Sequence, residues 1–163
     1  YGRPLYRLAY RMTGNSQDAE DLVQETFLRA HRAWPKFEAR AQAGTWLYRI
    51  CANAGLDLLR KRRPRVLPSS EVGAEPLDLL VNETPGPDRL LQGRETAAAF
   101  AAAFATLSPM ERAAVSLRHF EDHSIAEISA MLGLRPTATK NTIFRGIRKL
   151  RRTLRPLMEG GSC

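Results

Sequence analysis

The stretch SIAEISAMLGLRPTATKNTIFRGIRKLRRTL, residues 124–154, carries the signals of two consecutive helices separated by a short turn. Ser124 followed by Glu127 fits the S-x-x-E capping box, in which each side chain satisfies a backbone N–H at the start of a helix. Gly133 supplies the left-handed residue that commonly ends a helix, and Pro136 suits the first turn of the next one. Because only a few residues separate the two helices, the stretch predicts a helix-turn-helix.

The second helix of this pair separates its apolar and charged residues onto opposite sides. Its predicted apolar seam consists of Ile143, Ile147, Leu150 and Leu154. The opposite side carries an amide and cations: Asn141, Arg145, Arg148 and Arg152, flanked by Lys149 and Arg155. No acidic residue occurs from position 128 to 158, although a solvated helix ordinarily mixes both signs to gain i, i+4 pairs. This face indicates DNA in a major groove, with a merely basic surface as the alternative.

Helical periodicity occurs on both sides of a segment that is rich in proline. Five of the ten prolines fall between positions 64 and 88, together with several acidic residues, and this composition predicts a flexible linker. We predict helices over residues 5–12, 16–34, 45–62, 90–106, 108–120, 124–133 and 136–155. The predicted fold is therefore all-α, with two small helical domains, 1–63 and 90–158, joined by a linker over 64–89 and followed by a tail over 159–163. The second domain contains the helix-turn-helix.

Length and composition restrict the class of protein. The chain has 163 residues, of which 44% are hydrophobic, and a formal net charge of +8. This size suits one or two small domains better than one deep core. No apolar run approaches the ~20 residues that a membrane span requires, and the first residues lack the apolar core of a secretion signal. We therefore expect a cytoplasmic protein with no membrane insertion.

Cysteine and histidine are too sparse to predict a metal site. Cys51 shares a helical stripe with apolar residues and is expected to be a small buried hydrophobe, whereas Cys163 is expected to be a free thiol in the tail. His119 and His123 have the i, i+4 spacing of zinc ligands, but they flank a predicted turn and lack the HExxH order. Solvated turn histidines are the preferred interpretation. We predict neither a metal nor a cofactor.

The predicted helix over 16–34 has an acidic face on an otherwise basic protein. At about 100° per residue, its apolar side forms the predicted core face: Ala19, Leu22, Val23, Thr26, Phe27, Ala30 and Trp34. The opposite side places Leu28 among polar residues, namely Asp18, Asp21, Gln24, Glu25 and Arg32. An apolar residue ringed by carboxylates and an amide is typical of an interface anchor inside a polar rim. An ordinary solvated face with one exposed leucine is the alternative.

The predicted helix over 45–62 carries a second basic stripe. Its polar members lie away from the expected core residues Trp46, Ile50 and Ala54, and are Arg49, Asn53, Arg60 and Arg63. The helix ends in RKRRPR, and cations at a helix C-terminus also offset its dipole. The stripe, however, begins several turns earlier and includes an asparagine, a side chain that can read a base edge. This pattern favours a second contact with nucleic acid.

These motifs match a known family. DAEDLVQETFLRA, followed by Phe37, TWLYRI, Asn53 and Asp57, resembles conserved region two of bacterial sigma factors of the sigma-70 family. LSPMERAAVSLRHFEDHSIAEISAMLGL, with Lys140 and FRGIRKLRRTL, is similar to region four. With no third domain between them, the layout resembles the extracytoplasmic-function (ECF) group. The resemblance covers nearly all of the chain outside the predicted linker.

The resemblance implies a sigma factor, which is not an enzyme, that directs core RNA polymerase to promoters and assists strand opening. It implies that Asp21, Gln24 and Glu25 bind core polymerase, with Leu28 as an apolar anchor. Region four would read the upstream promoter element, and region two would capture an unstacked base of the downstream one. The candidate DNA-binding residues are Trp46, Arg49, Asn53, Arg60, Lys61, Arg62, Lys140, Asn141, Arg145, Arg148, Lys149 and Arg152. An anti-sigma factor is a further expected partner.

Three other functions are alternatives to a sigma factor. A different helix-turn-helix transcriptional regulator would account for the region-four motif, but it would leave the DAEDLVQETF helix without a role. An enzyme is disfavoured because the sequence contains no Gly-rich phosphate loop and no nucleophile elbow. An inhibitory module that binds polymerase without supporting transcription is a third alternative.

Overall fold

The computed structural model describes the backbone of residues 1–38, 42–62 and 87–160, and the side chains of 1–38, 42–62 and 95–156. Within these ranges the chain is helical and contains no strand, which confirms the all-α prediction. The α-helices are α1 (Gly2–Thr13), α2 (Ser16–Ala33), α3 (Ala43–Lys61), α4 (Pro87–Ala105), α5 (Pro109–Val115), α6 (Ile125–Leu132) and α7 (Pro136–Gly160). A 3₁₀ turn (Trp34–Lys36) follows α2, and a π-helical turn (Ser116–Phe120) continues α5. Arg63 and most of the predicted linker lie outside the described residues.

Helices α1, α2 and α3 pack against one another in the N-terminal half. Gly14 ends α1 with a φ of 80°, a left-handed conformation that glycine adopts at little cost. Asn15 then caps α2, because its side-chain oxygen accepts a hydrogen bond of 2.8 Å from the Asp18 N–H. Gly55 brings α3 close to α1, since a Cβ at this position would lie 2.8 Å from the Met12 methyl carbon.

The helix signals of the C-terminal half are confirmed. Ser108 and Ser124 both form capping boxes, with Glu111 and Glu127 respectively. Gly133 ends α6 in the left-handed region with a φ of 66°, and α7 begins at Pro136. Helices α6 and α7 are therefore separated by three residues, as the helix-turn-helix prediction requires.

Helix α7 packs closely on α5 at a glycine. A Cβ at Gly146 would lie only 2.6 Å from Cγ2 of Val115, so glycine is what allows this approach. The predicted seam of α7 faces inward, with Ile143 and Leu150 buried. The helix extends to Gly160, beyond the predicted end near residue 155, and passes through an exposed proline, Pro156.

The two halves share a hydrophobic core, which the prediction of two tethered domains did not anticipate. A single cluster of buried apolar residues includes Leu8 and Met12 of α1 together with Ala113, Leu117 and Met131 of the C-terminal half. Helix α3 contacts both α5 and α6, and α1 contacts α5. Neither short helical unit buries its apolar surface alone, so each covers part of the other.

Buried polar contacts cross this interface. Arg11 donates to Glu121 at 2.5 Å, and these side chains are only 6% and 13% exposed. The Tyr48 hydroxyl donates to the other carboxylate oxygen of Glu121 at 2.7 Å. Burial raises the pKa of Tyr48, and the hydrogen bond to Glu121 adds to the shift. Arg112 donates to the Met12 carbonyl at 2.8 Å, so cations from both halves tie the halves together.

Two predicted core faces differ from the structure. On α2, Phe27 and Trp34 were expected to be buried but are 43% and 60% exposed. Phe27 lies at the edge of the narrow strip that α1 and α3 cover, and Trp34 lies beyond the end of the helix. On α3, Ala54 is buried as expected, but Trp46 and Ile50 are only half-buried. The buried side of α3 is wider than predicted, because α6 covers a second side of the helix.

Candidate nucleic-acid interface and acidic face

The basic side of α7 is open to solvent. Its exposed members, which we call the α7 basic face, are Lys140, Asn141, Arg145, Arg148 and Arg152. The opposite side of the helix is fixed by buried groups, among them Thr139, whose hydroxyl lies 2.8 Å from that of Ser129 on α6. This anchoring leaves the charged side chains directed away from the protein. The geometry suits contact with a polyanion.

Lys149 differs from its neighbours, because a buried carboxylate holds it. Its Nζ donates to Oε1 of Glu111 on α5 at 2.6 Å, and the Glu111 side chain is only 4% exposed. Burial by itself would raise the pKa of Glu111, but the hydrogen bonds from Lys149 and Ser108 outweigh burial and lower that pKa. Arg145 Nε lies 4.0 Å from the same carboxylate. Lys149 therefore joins α7 to α5.

Beside these cations lies a residue that sequence reasoning missed. Phe144 is 64% exposed, although it lies in the middle of a well-packed helix. It is four residues from both Lys140 and Arg148, and positions four apart on a helix are neighbours on its surface. An apolar residue at a position outside the seam was the signal available in the sequence.

The predicted DNA-binding residues of α3 are in a different environment. Arg49, Arg60 and Lys61 are exposed. The Asn53 amide, however, donates to the Met131 carbonyl of α6 at 3.0 Å and to the Arg49 carbonyl at 2.9 Å. We call Arg49, Asn53 and Arg60 the α3 basic stripe. Helix α6 covers the middle of this stripe.

An ion pair holds the end of α3. Both terminal nitrogens of Arg62 donate to the carboxylate of Asp18, which is itself only 13% exposed. The hydrogen bond from Arg62 lowers the pKa of Asp18, with a further contribution from Asn15. Asp18 was expected on the open acidic face of α2, but it is turned toward α3 instead. The sequence does not predict this ion pair, because its two residues lie far apart in the chain.

Trp46 belongs to an aromatic cluster that sequence reasoning did not recognise as a unit. Its ring centroid lies 4.7 Å from that of Phe37 and 6.1 Å from that of Trp34, and the Trp34 and Phe37 rings stack at 5.4 Å. Trp34 leaves much of its surface exposed. The cluster joins the end of α2 to the start of α3. Exposed aromatic faces of this kind can stack on unpaired bases.

The acidic face of α2 is accessible. Asp21, Gln24 and Leu28 are exposed, with Leu28 53% accessible. Glu25 accepts a hydrogen bond of 2.8 Å from Arg29, which lowers the pKa of the Glu25 carboxyl. Arg29 also donates to Asp57 at 3.1 Å and so orients this edge of α2 against α3.

The described part of the chain contains neither a metal-binding cluster nor a membrane-spanning helix. No group of three or more histidine, cysteine or acidic side chains there is arranged to hold a metal ion. Of the two candidate histidines, His119 is exposed, but His123 is buried and its ring lies 5.0 Å from that of Tyr48, so the expectation of solvated turn histidines is wrong for His123. Cys51 is fully buried, as predicted. Among the described helices, none has both the length and the apolar character of a membrane span.

Comparison with known families matches both halves of the chain. Residues 1–65 match Sigma-70 region 2, and residues 97–150 match Sigma-70, region 4. The ECF RNA polymerase sigma factor SigW of Bacillus subtilis is 32% identical over 96% of this chain and 86% of its own length. The ECF RNA polymerase sigma factor SigE of Mycolicibacterium smegmatis is 39% identical, and SigG of Mycobacterium tuberculosis is 36% identical. The chain spans about half the length of these last two relatives, 56% and 47%.

Solved structures match across both halves as well. The sigma factor RpoE from Bartonella quintana, in complex with the anti-sigma factor NepR, is 25% identical with a TM-score of 0.71, covering 93% of this chain and 89% of that one. CnrH in complex with the cytosolic domain of CnrY has a TM-score of 0.61 at 24% identity, covering 98% of this chain and 82% of that one, and supports the fold alone.

Proposed function

Because the chain belongs to the ECF group of the sigma-70 family, we propose that it directs core RNA polymerase to specific promoters and assists strand opening. The observation that carries the proposal is the separation of an accessible acidic face on α2 from an accessible basic face on α7. A protein that binds DNA alone gains nothing from an exposed acidic helix, since it repels phosphates. A protein that must bind both a basic protein surface and DNA requires an acidic surface for the first and a basic surface for the second.

The acidic face of α2 is the proposed contact with core polymerase. Asp21 and Gln24 supply exposed polar groups around Leu28, whose side chain provides an apolar anchor that would be desolvated on binding. Glu25 lies at the edge of this surface, and its carboxylate forms an ion pair with Arg29. Complementary charge would accelerate the encounter with a basic surface and fix its orientation.

The α7 basic face is the proposed contact with duplex DNA of the upstream element. Helix α7 is the second helix of the helix-turn-helix, the one that such motifs place in the major groove. Its arginines would neutralise phosphates, and Asn141, near the start of the helix, would be placed to reach base edges. Lys149 would contribute less, because Glu111 already holds it.

The aromatic cluster and the α3 basic stripe are the proposed contact with the opened downstream strand. Trp34, Phe37 and Trp46 present ring surfaces for an unstacked base, and Arg49 and Arg60 supply charge for its backbone. Binding by Asn53 would first require its hydrogen bond to the Met131 carbonyl to break. Contact with this strand would therefore be coupled to separation of α6 from α3.

Residues 1–63 and 90–158 would act as the two sigma domains. The predicted linker over 64–89 overlaps the start of α4 at Pro87, and the predicted tail over 159–163 overlaps the end of α7 at Gly160, so both would be slightly shorter than predicted. Strand opening driven by binding needs no covalent step, so the protein would not act as an enzyme, and its place would be with the polymerase in the cytoplasm. An anti-sigma factor is a proposed partner, because the structurally similar RpoE was solved in complex with the anti-sigma factor NepR.

Run-off transcription tests the proposal directly. Purified bacterial core polymerase is supplied with a pool of promoter fragments, with and without the protein. We expect discrete start sites only when the protein is present. Asp21→Ala should reduce these transcripts by weakening polymerase binding, without lowering the melting temperature, because Asp21 is exposed. Duplex binding without any new start site would instead favour a helix-turn-helix regulator.

A further inference from the structure

We propose that Phe144 is a specificity-determining residue that reads a thymine methyl group in the upstream promoter element. This inference rests on the proposed function, since it assumes that the α7 basic face enters a major groove. It concerns one side chain that neither the core of the protein nor the charge of the face explains.

Phe144 has no place in the packing of α7. The inward side of the helix is filled by Ile143, Gly146 and Leu150, which are buried against α5 and neighbouring elements. Phe144 is 64% exposed and lies on the outward side. Exposed single apolar residues are common on protein surfaces, so exposure by itself does not identify a ligand. The residues around the ring indicate whether it contacts a ligand.

Those surroundings are polar and cationic on both sides along the helix. Lys140 and Asn141 lie one turn before Phe144, and Arg148 lies one turn after it, and all three are exposed. A phosphate-binding face that neutralises the DNA backbone on each side would bring the phenyl ring between the two strands, against the floor of the groove. The ring would then lose its contact with water in the complex and not in the free protein.

Only one chemical group in the major groove makes a favourable apolar contact with such a side chain. Thymine presents its 5-methyl group there, whereas cytosine, guanine and adenine present hydrogen-bonding groups. Phe144 has no donor or acceptor, so it would favour thymine by burying that methyl and disfavour a base whose polar edge it would desolvate. Asn141, which can hydrogen-bond, lies one turn earlier and would read a different base.

Replacing thymine by deoxyuridine tests this contact, because the exchange removes only the methyl group. The probe is a promoter duplex recovered by the run-off experiment, bound by core polymerase carrying the protein, with each thymine of its upstream element replaced in turn. We expect uracil at one thymine to weaken binding by about four-fold, the value of one buried methyl group. With Phe144→Ala, binding to the unmodified duplex should already be weaker, and the same uracil should have no further effect.

Two further variants separate the contact from general effects. Phe144→Leu keeps an apolar side chain and should keep part of the sensitivity to uracil. Arg152→Ala removes a charge from the same face and should weaken binding to every duplex while leaving the uracil effect at about four-fold. Because Phe144 is largely exposed, Phe144→Ala should melt at the temperature of the parent protein. The uracil scan uses the parent protein alone, so it still tests the methyl contact if a Phe144 variant fails to fold.

The outcomes distinguish this inference from the proposed function. If the polymerase complex binds the promoter but no uracil weakens it, or if the same uracil weakens Phe144→Ala equally, the reading of a methyl by Phe144 is overturned and the proposed function stands. If the protein gives no start site at all, the proposed function is overturned and this inference with it.

Discussion

Two basic surfaces with the same pattern in the sequence, on α7 and on α3, have different environments in the folded chain. The α7 basic face is exposed along its length. On α3, Arg49 and Arg60 are exposed, but the Asn53 amide between them is bonded to α6, and Arg62 at the end of the helix is paired with Asp18. A charge pattern shows which side chains share one side of a helix, but not which other part of the chain covers that side. The α7 basic face would thus meet DNA without rearrangement, whereas the α3 basic stripe would not.

The largest expected effect comes from releasing the contact between the halves, which keeps the middle of the α3 basic stripe covered. Glu121→Ala leaves the Arg11 cation buried without its partner, a change that costs about 3–5 kcal/mol. We expect a large decrease in the free energy of unfolding in urea. We also expect a larger radius of gyration by small-angle scattering, because the halves separate and the two basic surfaces become equally accessible.

Glu20→Ala is the matched control for this prediction. It also removes one carboxylate, but Glu20 is exposed on α2, so its effect should stay within about 0.5 kcal/mol. An unchanged radius of gyration and an unchanged unfolding free energy for Glu121→Ala would show that the Glu121 contacts do not hold the halves together.

A smaller effect should distinguish the glycines that position the two helices. In Gly146→Ala, the new methyl meets a branched side chain, Val115, which has little freedom to move, and overpacking costs about 1–3 kcal/mol. In Gly55→Ala, the new methyl meets the flexible end of Met12, which can move aside. Both variants gain about 1 kcal/mol in helix propensity, and this gain offsets the smaller strain at position 55. Urea unfolding of both variants should show a clear loss for α7 and little change for α3. Equal losses would contradict this difference in rigidity.

The salt dependence of promoter binding should separate exposed from paired cations within α7 itself. Arg148→Ala removes an exposed charge and should lower the slope of log K against log salt by about 1 if it removes one phosphate contact. Lys149→Ala removes a charge that Glu111 already neutralises, so its slope should change less. Titrations between about 50 and 200 mM salt measure both. A larger change in slope for Lys149→Ala than for Arg148→Ala would show that the side of α7 proposed to face DNA is the wrong one.

The smallest expected effect is a pH dependence confined to the α5–α7 contact. The folded-state pKa of Glu111 lies below the ordinary value of 4.5, so its contribution to stability is fully present above that value and is lost as the pH falls through the folded pKa. Glu111→Gln should therefore reduce the loss of stability in acid, as measured by melting temperature from pH 6 to about pH 3. The parent and the variant should differ most at neutral pH and converge in acid. A constant difference across the range would show that the Glu111 charge is not what stabilises this contact.

Much of the local structure could be predicted from the sequence, because its causes lie within a few residues. The capping boxes at Ser108 and Ser124, the left-handed Gly133 and the start of α7 at Pro136 each depend on neighbours three or four positions away. The exposed polar residues of α2 and α7 follow from the same short-range periodicity. The motifs that matched the family lie on these elements.

The placement of individual site residues could not be predicted, because it depends on partners far away in the chain. Asn53 bonds to residue 131, Arg62 to residue 18, and Lys149 to residue 111. The exposed ring of Phe144 was missed for the opposite reason, since an apolar residue at an outward position looks like a deviation from the pattern. Hydrophobic periodicity gives the side of the helix, and only packing shows whether a particular side chain is covered.

One can predict from the sequence the helices, their caps in the C-terminal half, the separation of acidic from basic faces and the family, because each of these depends on residue type and short-range spacing. The tertiary structure adds that the two halves share a core, that Glu121 joins Arg11 and Tyr48 across it, and that α6 covers the middle of the α3 basic stripe. The physical reason is that two small helical units leave apolar surface exposed, and which surfaces then meet is set by shape and by buried charge over long distances in sequence.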